Sequence, residues 1–239
     1  MKPILVIEQE HSLRGLGLLG ERLDDSGLPY RSLHAWDEPV DELEVRDFAA
    51  IIPMGGNAHA WDDAVPLLRA ERNLLSTAVE EGIPVFGICL GAQLLTRALG
   101  GDVRAADEPE IGWLEIVPTA EAADDPIFCH LEAPTGVYQW HYDVFEPPPG
   151  ALRLARSELA SNQAFRIDGA EAWGIQFHPE VTPELWELWI ARHPTEVREA
   201  GVDVEALRAA VYRGTERSLA VRIAIFDAFI DRVRCRWDA

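Results

Sequence analysis

The first hundred residues alternate between short apolar runs and longer segments with helical spacing, and this alternation limits the fold more than any other feature. The apolar runs are short and continuous, which is typical of strands buried on both faces. Strands that alternate with helices predict an α/β fold, with a doubly wound, mostly parallel sheet and helices on both faces. The strands are predicted at 4–7, 30–34, 48–53 and 83–88, and the helices at 13–26, 66–82 and 90–99.

The chain changes character between residues 111 and 177, where short apolar segments are separated by turns that contain proline or glycine. We interpret these segments as strands of added hairpins that extend the same sheet, not as a second domain. They are predicted at 113–117, 136–140, 152–157, 164–167 and 172–177.

The last part of the chain, after Pro183, is predicted to be helical. Its apolar residues recur at helical spacing on one face, which favours a helix that docks on the domain; a dimer face or a lid is the alternative. We therefore expect a main domain at 1–185 and a C-terminal helical extension, packed on it, at 186–239. The residues of this face are Leu219, Ile223, Phe226, Ile230 and Val233.

Composition limits the partners and the compartment. Acidic residues outnumber basic ones by 41 to 21, and a formal charge of −20 argues against a nucleic-acid partner. No stretch approaches the ~18 apolar residues of a membrane span, and the start does not resemble a signal peptide. Three cysteines far apart in the sequence do not suggest a disulfide framework. We expect a cytoplasmic protein without a membrane anchor.

Cys89 lies between a predicted strand and the helix that begins at Leu90, in the segment Gly87-Ile88-Cys89-Leu90-Gly91. The small flanking residues permit the sharp turn of a nucleophile elbow. The N-terminus of the helix faces Cys89, and its partial positive charge stabilises a thiolate. The amide of Leu90 has no partner within the helix and is available to an oxyanion. Taken alone, the segment is equally compatible with a cysteine that only fills space in the core.

A histidine and a glutamate follow the last predicted strand, as His178-Pro179-Glu180. Residues i and i+2 of an extended chain point the same way, so Glu180 can reach the side of His178. Pro179 stiffens the segment and supplies no competing N–H. A base held by a carboxylate, in a chain that also has a nucleophile elbow, indicates a catalytic triad with Cys89.

Gly55 and Gly56 follow another predicted strand, and two glycines permit a backbone amide to turn toward the end of a neighbouring strand. Binding sites of parallel sheets form at the carboxyl ends of the strands. We therefore expect these glycines, Cys89 and His178 to lie on one rim of the sheet.

Three segments in order, Met-Gly-Gly-Asn (54–57), Gly-Ile-Cys-Leu-Gly-Ala-Gln (87–93) and Gln-Phe-His-Pro-Glu-Val (176–181), resemble the class I glutamine amidotransferases. The sequence is similar to stand-alone relatives of the glutaminase domain of GMP synthase. The resemblance covers residues 1–185, and it implies a flavodoxin-like fold with this part as the catalytic domain.

The resemblance implies that Cys89 is the nucleophile, His178 the base and Glu180 the group that orients it. The amides of Gly56 and Leu90 would form the oxyanion hole. The substrate-binding positions that it implies are Gly55, Gln93 and His141.

The segment around His141, Gln-Trp-His-Tyr-Asp (139–143), is similar to a stretch near the family's pocket. It differs at Tyr142, where the family has a small residue. The segment at 54–57 also differs from the family, at Asn57, where the family usually has proline. A purely structural histidine remains the alternative for His141.

The implied activity is hydrolysis of the γ-amide of glutamine through a thioester, with a small-molecule substrate and without a cofactor or a metal. A synthetase subunit that receives the ammonia and a homodimer are possible partners. One alternative is a free-standing hydrolase of γ-glutamyl peptides or γ-glutamyl amines. Another is a non-catalytic binding module, although the intact triad argues against it. Only about 55 residues follow Pro183, so we do not expect GMP synthesis by this chain alone.

Two further patterns are interpreted as coincidences. Residues 15–20 spell Gly-x-Gly-x-x-Gly, but six residues separate Glu8 from the first glycine, which predicts glycines inside a helix instead of a dinucleotide-binding turn. Cys129, His130 and His141 lack the spacing of zinc ligands.

Overall fold

The computed structural model describes residues 2–237, which form one nine-stranded sheet covered by helices. The strands are β1 (Ile4–Glu8), β2 (Tyr30–His34), β3 (Ala50–Pro53), β4 (Val85–Ile88), β5 (Asp102–Pro118), β6 (Thr135–Glu146), β7 (Leu152–Arg156), β8 (Ala164–Arg166) and β9 (Ala172–Ile175). The helices are α1 (Gly17–Ser26), α2 (Pro66–Glu80), α3 (Leu90–Ala98), α4 (Pro183–Arg192), α5 (Pro194–Glu199), α6 (Val204–Arg217) and α7 (Leu219–Trp237).

The strand order is β2-β1-β3-β4-β9-β8-β7-β5-β6. The first five strands of this order are parallel to one another, and the remaining pairs are antiparallel. The predicted fold class, a doubly wound α/β sheet extended by hairpins, is confirmed. Because β4 and β9 are neighbours, with Ile88 opposite Ile175, the chain that leaves each of them emerges at the same edge of the sheet.

The parallel strands are buried on both faces, as their continuous apolar runs predict. Alternate residues of each strand point to opposite faces. Val6 and Ile88 pack on the side that holds α1 and α7, whereas Leu5 and Val85 pack on the side that holds α2 and α3. The sheet therefore has an apolar core on each face. A functional site can form where the strands end, at the carboxyl edge that these cores do not cover.

The hairpin of β5 and β6 is longer than the sequence predicts. The two strands pair from Asp102 opposite Glu146 to Ile116 opposite Thr135, whereas only 113–117 and 136–140 were predicted as strands. The register shifts between Ala105 and Glu110, where the sequence is acidic and contains a proline. That stretch has no alternation of apolar and polar residues, so the sequence alone carries no strand signal there.

The start of α1 also differs from the prediction. Helical structure was expected from Leu13, but α1 begins at Gly17, after a turn in which Gly15 and Gly17 have φ values of 120° and 48°. The amide of Leu18 donates to the carbonyl of Glu180 over 2.9 Å, and a Cβ at Gly17 would lie 2.1 Å from the same oxygen. Gly17 and Gly20 thus lie within α1, as the sequence predicts, whereas Gly15 precedes the helix, and Gly17 makes the close approach to Glu180.

The last helix, α7, packs on the same core as β4. Phe226, Phe229 and Ile230 are buried there, and the rings of Phe86 and Phe229 have centroids 5.2 Å apart. Leu219, which was expected on the buried face, is instead 41% exposed because it occupies the first position of the helix. Within residues 2–237, no helix is both long and apolar enough to cross a lipid bilayer.

The packing of α7 predicts that Phe229→Ala lowers the free energy of unfolding by about 3–5 kcal/mol, the usual cost of a cavity left by a buried phenyl ring. Leu219→Ala, on the same helix but exposed, is the matched control and should cost less than about 1 kcal/mol. Urea unfolding of both variants measures the difference. Equal effects would contradict an α7 that forms part of the core.

Candidate active site

The chain turns sharply at Cys89, between the end of β4 and the start of α3. Cys89 has φ 52° and ψ −108°, and it is the one non-glycine residue with positive φ among residues 2–237. Such a backbone costs about 1–3 kcal/mol and persists only where the surroundings enforce it. Its amide donates to the carbonyl of Ile175 over 2.8 Å, and its carbonyl accepts the amide of Gln93 over 3.0 Å.

Two glycines make room for this turn. A Cβ at Gly91 would lie 2.0 Å from the carbonyl oxygen of Pro53, and a Cβ at Gly87 would lie 2.7 Å from the amide nitrogen of Ala92. The amide of Gly91 donates to the carbonyl of Met54 over 3.1 Å. The first turn of α3 is therefore pressed against the end of β3, and Cys89 is held at the carboxyl edge of the sheet.

His178 and Glu180 lie beside Cys89, in the segment that follows β9. The amide of His178 donates to the carbonyl of Tyr138 over 2.9 Å, which fixes the segment against β6. The imidazole Nδ1 lies 2.6 Å from Oε1 of Glu180, and both side chains are buried. The imidazole also interacts with the side chain of Cys89, which lies beside it. The structure thus brings the three predicted triad residues together in series.

The charges around His178 favour its protonated form. Burial alone would lower the pKa of this histidine, but the negative charges of Glu180 and of a Cys89 thiolate, with the hydrogen bond to Glu180, raise it to about 10. An imidazolium at His178 is therefore the state that this arrangement favours.

Arg222 of α7 holds the segment that carries Glu180. Its guanidinium donates to the carbonyls of Pro179 and Val181 over 3.0 and 2.6 Å, and to that of Thr215 over 2.7 Å. Burial lowers the pKa of Arg222 to about 10, against the opposing charge of Glu180. An arginine of the C-terminal helices thus holds the carbonyls of the residues on either side of Glu180.

Gly55 and Gly56 lie on the other side of the thiol. A Cβ at Gly55 would lie 2.9 Å from Cε1 of His178 and 3.4 Å from the Cβ of Cys89. At Gly56 a Cβ would lie 2.9 Å from a methyl carbon of Leu90. Gly56 and Leu90, which carry the two predicted amide donors, are therefore neighbouring residues beside Cys89, and a side chain at Gly55 would displace His178.

A buried glutamine also contacts the thiol. Nε2 of Gln176 lies 3.6 Å from Sγ of Cys89, and its Oε1 accepts Nε2 of Gln93 over 3.2 Å. Gln93 also donates to the carbonyl of Asp143, at the longer distance of 3.4 Å. Gln93 is thus tied to both the elbow and β6.

His141 lies farther from the thiol, in a buried polar cluster on the β5–β6 hairpin. Its Nδ1 lies 3.0 Å from the carbonyl of Asp143, and its Nε2 lies 3.2 Å from a carboxylate oxygen of Glu110. The side chain of Asp143 pairs with His59 at 2.8 Å; burial raises the pKa of this carboxyl group, and the contact with His59 opposes the rise. The contacts of His141 are structural ones, although its side chain also faces a cavity beside Cys89.

Two cavities meet at Cys89, Gly56, Asn57 and Trp140. The inner cavity is lined by these residues together with Glu8, Gln9, Glu10, Leu13, Gly15, Met54, Gly55, His178, Glu180, Trp189 and His193. The outer cavity is lined by the four shared residues together with Ala58, His59, Gln93, Pro109, His141, Tyr142, Asp143, Glu199 and Ala200. Cys89 is therefore accessible from two sides that differ in their walls.

Several residues around Cys89 were not singled out from the sequence. Gln176 precedes His178 by two residues, so strand alternation places both on one side and could have identified it. Arg222 is a charged residue on an otherwise apolar helix face, which is a usable signal. Trp189 and His193 reach the inner cavity from α4 and its end, and no local pattern indicates that.

No group of three or more His, Cys, Asp or Glu side chains among residues 2–237 is arranged to hold a metal ion. The groups at the elbow are instead a thiol, an imidazole, a carboxylate and backbone amides, the set that acyl transfer to cysteine uses.

Known proteins match most of this chain in sequence and in fold. The model of the family described as glutamine amidotransferase class-I matches residues 26–192. The glutamine-hydrolyzing GMP synthase of Aliivibrio fischeri is 34% identical over 168 residues, which are 69% of this chain and 30% of that enzyme. The same enzyme of Aquifex aeolicus is 32% identical over 182 residues, or 76% of this chain and 33% of that enzyme. The chain thus spans about a third of the length of these curated relatives.

Two solved structures match nearly the whole chain. A glutamine amidotransferase from Thermotoga maritima has a TM-score of 0.85 at 25% identity and covers 97% of both chains. A glutamine amidotransferase from Methylobacillus flagellatus has a TM-score of 0.85 at 29% identity, over 97% of this chain and 95% of that one. With the family model covering most of its length, this chain belongs to the class I glutamine amidotransferase family.

Proposed function

We propose that the chain is an amidotransferase-type hydrolase that cleaves the γ-amide of glutamine through a thioester on Cys89 and releases ammonia and glutamate. The observation that carries this proposal is the pair of contacts made by His178, to Cys89 on one side and to Glu180 on the other. A thiol, a base and an orienting carboxylate in series are what a cysteine nucleophile needs.

In the first half of the reaction, the Cys89 thiolate attacks the γ-carbonyl carbon and the negative charge moves to the carbonyl oxygen. The amides of Gly56 and Leu90 stabilise that oxyanion, and such a donor is typically worth ~10²–10³ in rate. As the C–N bond breaks, the imidazolium of His178 gives its proton to the departing nitrogen. Ammonia leaves, and a glutamyl thioester remains on Cys89.

In the second half, His178 takes a proton from water, which attacks the thioester. When the C–S bond breaks, glutamate is released and the Cys89 thiolate is regenerated. Glu180 keeps the imidazole oriented in both halves and stabilises its charge. We assign Gly55, Gln93 and His141 to substrate binding. Gln93 and His141 line the outer cavity, whereas Gly55 lines the inner one, where the absence of a side chain leaves room for His178.

We also propose that residues 1–185 are the catalytic domain and 186–239 an extension that completes it. Trp189 and His193 line the inner cavity, and Arg222 holds the carbonyls beside Glu180. These contacts support an extension that completes the active site. A synthetase that accepts the ammonia is the partner that this activity would need. Release of glutamate from glutamine only when such a partner is added favours an amidotransferase; release without one favours a free-standing hydrolase.

Replacing the nucleophile tests the mechanism. We expect Cys89→Ala to reduce glutamate release from glutamine by about 10⁴-fold or more, because no thioester can form. The exposed Cys129 supplies the control, and Cys129→Ala should keep the wild-type rate. A glutamine-analogue electrophile should label the wild type and Cys129→Ala but not Cys89→Ala. Retained turnover in a folded Cys89→Ala protein would refute the mechanism.

The charge of Glu180 predicts a shift in the titration of His178. In Glu180→Gln the raised pKa of about 10 should move toward the ordinary value of 6.5, and kcat should fall by about 10²–10⁴-fold. NMR of the imidazole measures the pKa and a glutaminase assay measures kcat. Glu184→Gln, an exposed change nearby, is the control. An unchanged titration of His178 would show that Glu180 does not set its charge.

The same pKa shift predicts how stability depends on pH. A histidine that binds its proton more tightly in the folded state stabilises the fold at pH values below its unfolded pKa, near 6.5. That contribution is lost as the pH rises through the folded pKa, near 10. Urea unfolding of wild type and Glu180→Gln should therefore differ more at pH 6 than at pH 10. A difference that grew with pH would contradict the raised pKa.

A further inference from the structure

The two cavities at Cys89 differ in which part of an acyl-transfer substrate they can hold. His178 lines the inner cavity and Gln93 lines the outer one, while neither lines both. The group that protonates the departing nitrogen must lie on the side toward which that nitrogen leaves. If Cys89 and His178 act as in the proposed function, on which this inference rests, the glutamyl group occupies the outer cavity and the departing amine leaves into the inner one.

We infer that the inner cavity binds a substituent on the departing nitrogen, so that the chain cleaves γ-glutamyl amides of short alkylamines. It selects amines with a neutral or cationic end over those with a carboxylate. This separates γ-glutamyl amines from γ-glutamyl peptides, whose departing amino acid carries a carboxylate.

The size of the inner cavity is the first reason. The cavity has a volume of about 40 Å³. On the same measure, one water-sized group needs about 10–15 Å³. The cavity therefore has room for about three such groups, which fits a short alkyl chain on the nitrogen that His178 protonates.

The charge of the wall is the second reason. Glu8 and Glu10 both line the cavity, and their hydrogen bonds come mostly from uncharged donors. Glu8 accepts the amide of Gly15 over 2.8 Å, and Glu10 accepts the hydroxyl of Ser12 over 3.0 Å. The exception is His34, 3.4 Å from Glu8. Donors without charge hold a carboxylate in place but do not neutralise it.

Positive charge is scarce in the same wall. Among the described residues that line the inner cavity there is no lysine or arginine, and the two histidines face three carboxylates, since Glu180 also lines it. His178 is paired with Glu180 at 2.6 Å. The nearby Arg192 donates to the carbonyls of His11 and Ser12 and does not line the cavity. A carboxylate on the departing amine would therefore meet like charges.

The apolar part of the wall is the third reason. Trp140, Trp189, Leu13 and Met54 line the cavity, and Nε1 of Trp189 already donates to the carbonyl of Leu13 over 3.2 Å. Indole faces bind methylene groups by apolar contact and ammonium groups by cation–π attraction. Such walls suit an alkyl chain with a cationic end.

Three probes of matched length test the inference: γ-glutamyl-propylamide, γ-glutamyl-(3-aminopropyl)amide and γ-glutamyl-β-alanine, each compared with glutamine. The measured quantity is kcat/KM for glutamate release by the full chain. We expect the propyl and aminopropyl amides to be cleaved, and the aminopropyl amide to exceed the β-alanine amide by about tenfold or more.

A charge variant locates the selectivity. Glu10→Gln keeps a hydrogen-bond acceptor and removes a charge, so the ratio of kcat/KM for the aminopropyl and β-alanine amides should fall several-fold. Glu199→Gln removes the same charge from the outer cavity and should leave that ratio unchanged. The ratio compares two substrates of one variant, so a general loss of activity cancels.

The outcomes separate this inference from the proposed function. Cleavage of glutamine but of none of the three probes would overturn the inference and leave the glutaminase. A β-alanine amide cleaved as fast as the aminopropyl amide would also overturn it, as would a ratio that Glu199→Gln changes as much as Glu10→Gln. Cleavage of the amine probes without cleavage of glutamine would support the inference and refute the glutaminase. No cleavage of any compound would refute both.

Discussion

Cys89 keeps its left-handed backbone because β3, β9 and α3 fix the atoms on either side of it. The carbonyl of Ile175 accepts a hydrogen bond from the amide of Cys89, and an amide in the first turn of α3 donates to the carbonyl of Cys89. Gly91 allows α3 to touch β3 so closely that any side chain there would overlap the carbonyl of Pro53. The strain at one residue is thus balanced by hydrogen bonds and close packing from β3, β9 and α3 together.

The base is positioned differently, by long-range contacts to a segment outside regular structure. β6 holds the amide of His178, the start of α1 donates to the carbonyl of Glu180, and α7 supplies Arg222 to the carbonyls on either side of that residue. A parallel sheet brings the ends of β4 and β9 together, but the orientation of the imidazole depends on elements from both ends of the chain. Nucleophile and base are therefore secured by separate parts of the fold.

The sequence was informative where the determinants are local. Continuous apolar runs predicted the parallel strands, the glycines around Cys89 predicted the elbow, and a spacing of two placed Glu180 beside His178. The length of the β5–β6 hairpin was missed because its acidic stretch pairs through the backbone and shows no alternation. The start of α1 was missed because it depends on the carbonyl of Glu180, far away in the sequence. The roles of Arg222 and Trp189 depend on tertiary packing in the same way.

The contacts of Arg222 also have a consequence for the timing of folding during synthesis. Arg222 follows Pro179 by 43 residues, so at ~5–20 residues per second a ribosome completes it several seconds after the segment it holds. The elbow needs only residues up to Ile175 and can form first. During synthesis the residues of the elbow are therefore made before the arginine that holds the segment of the base.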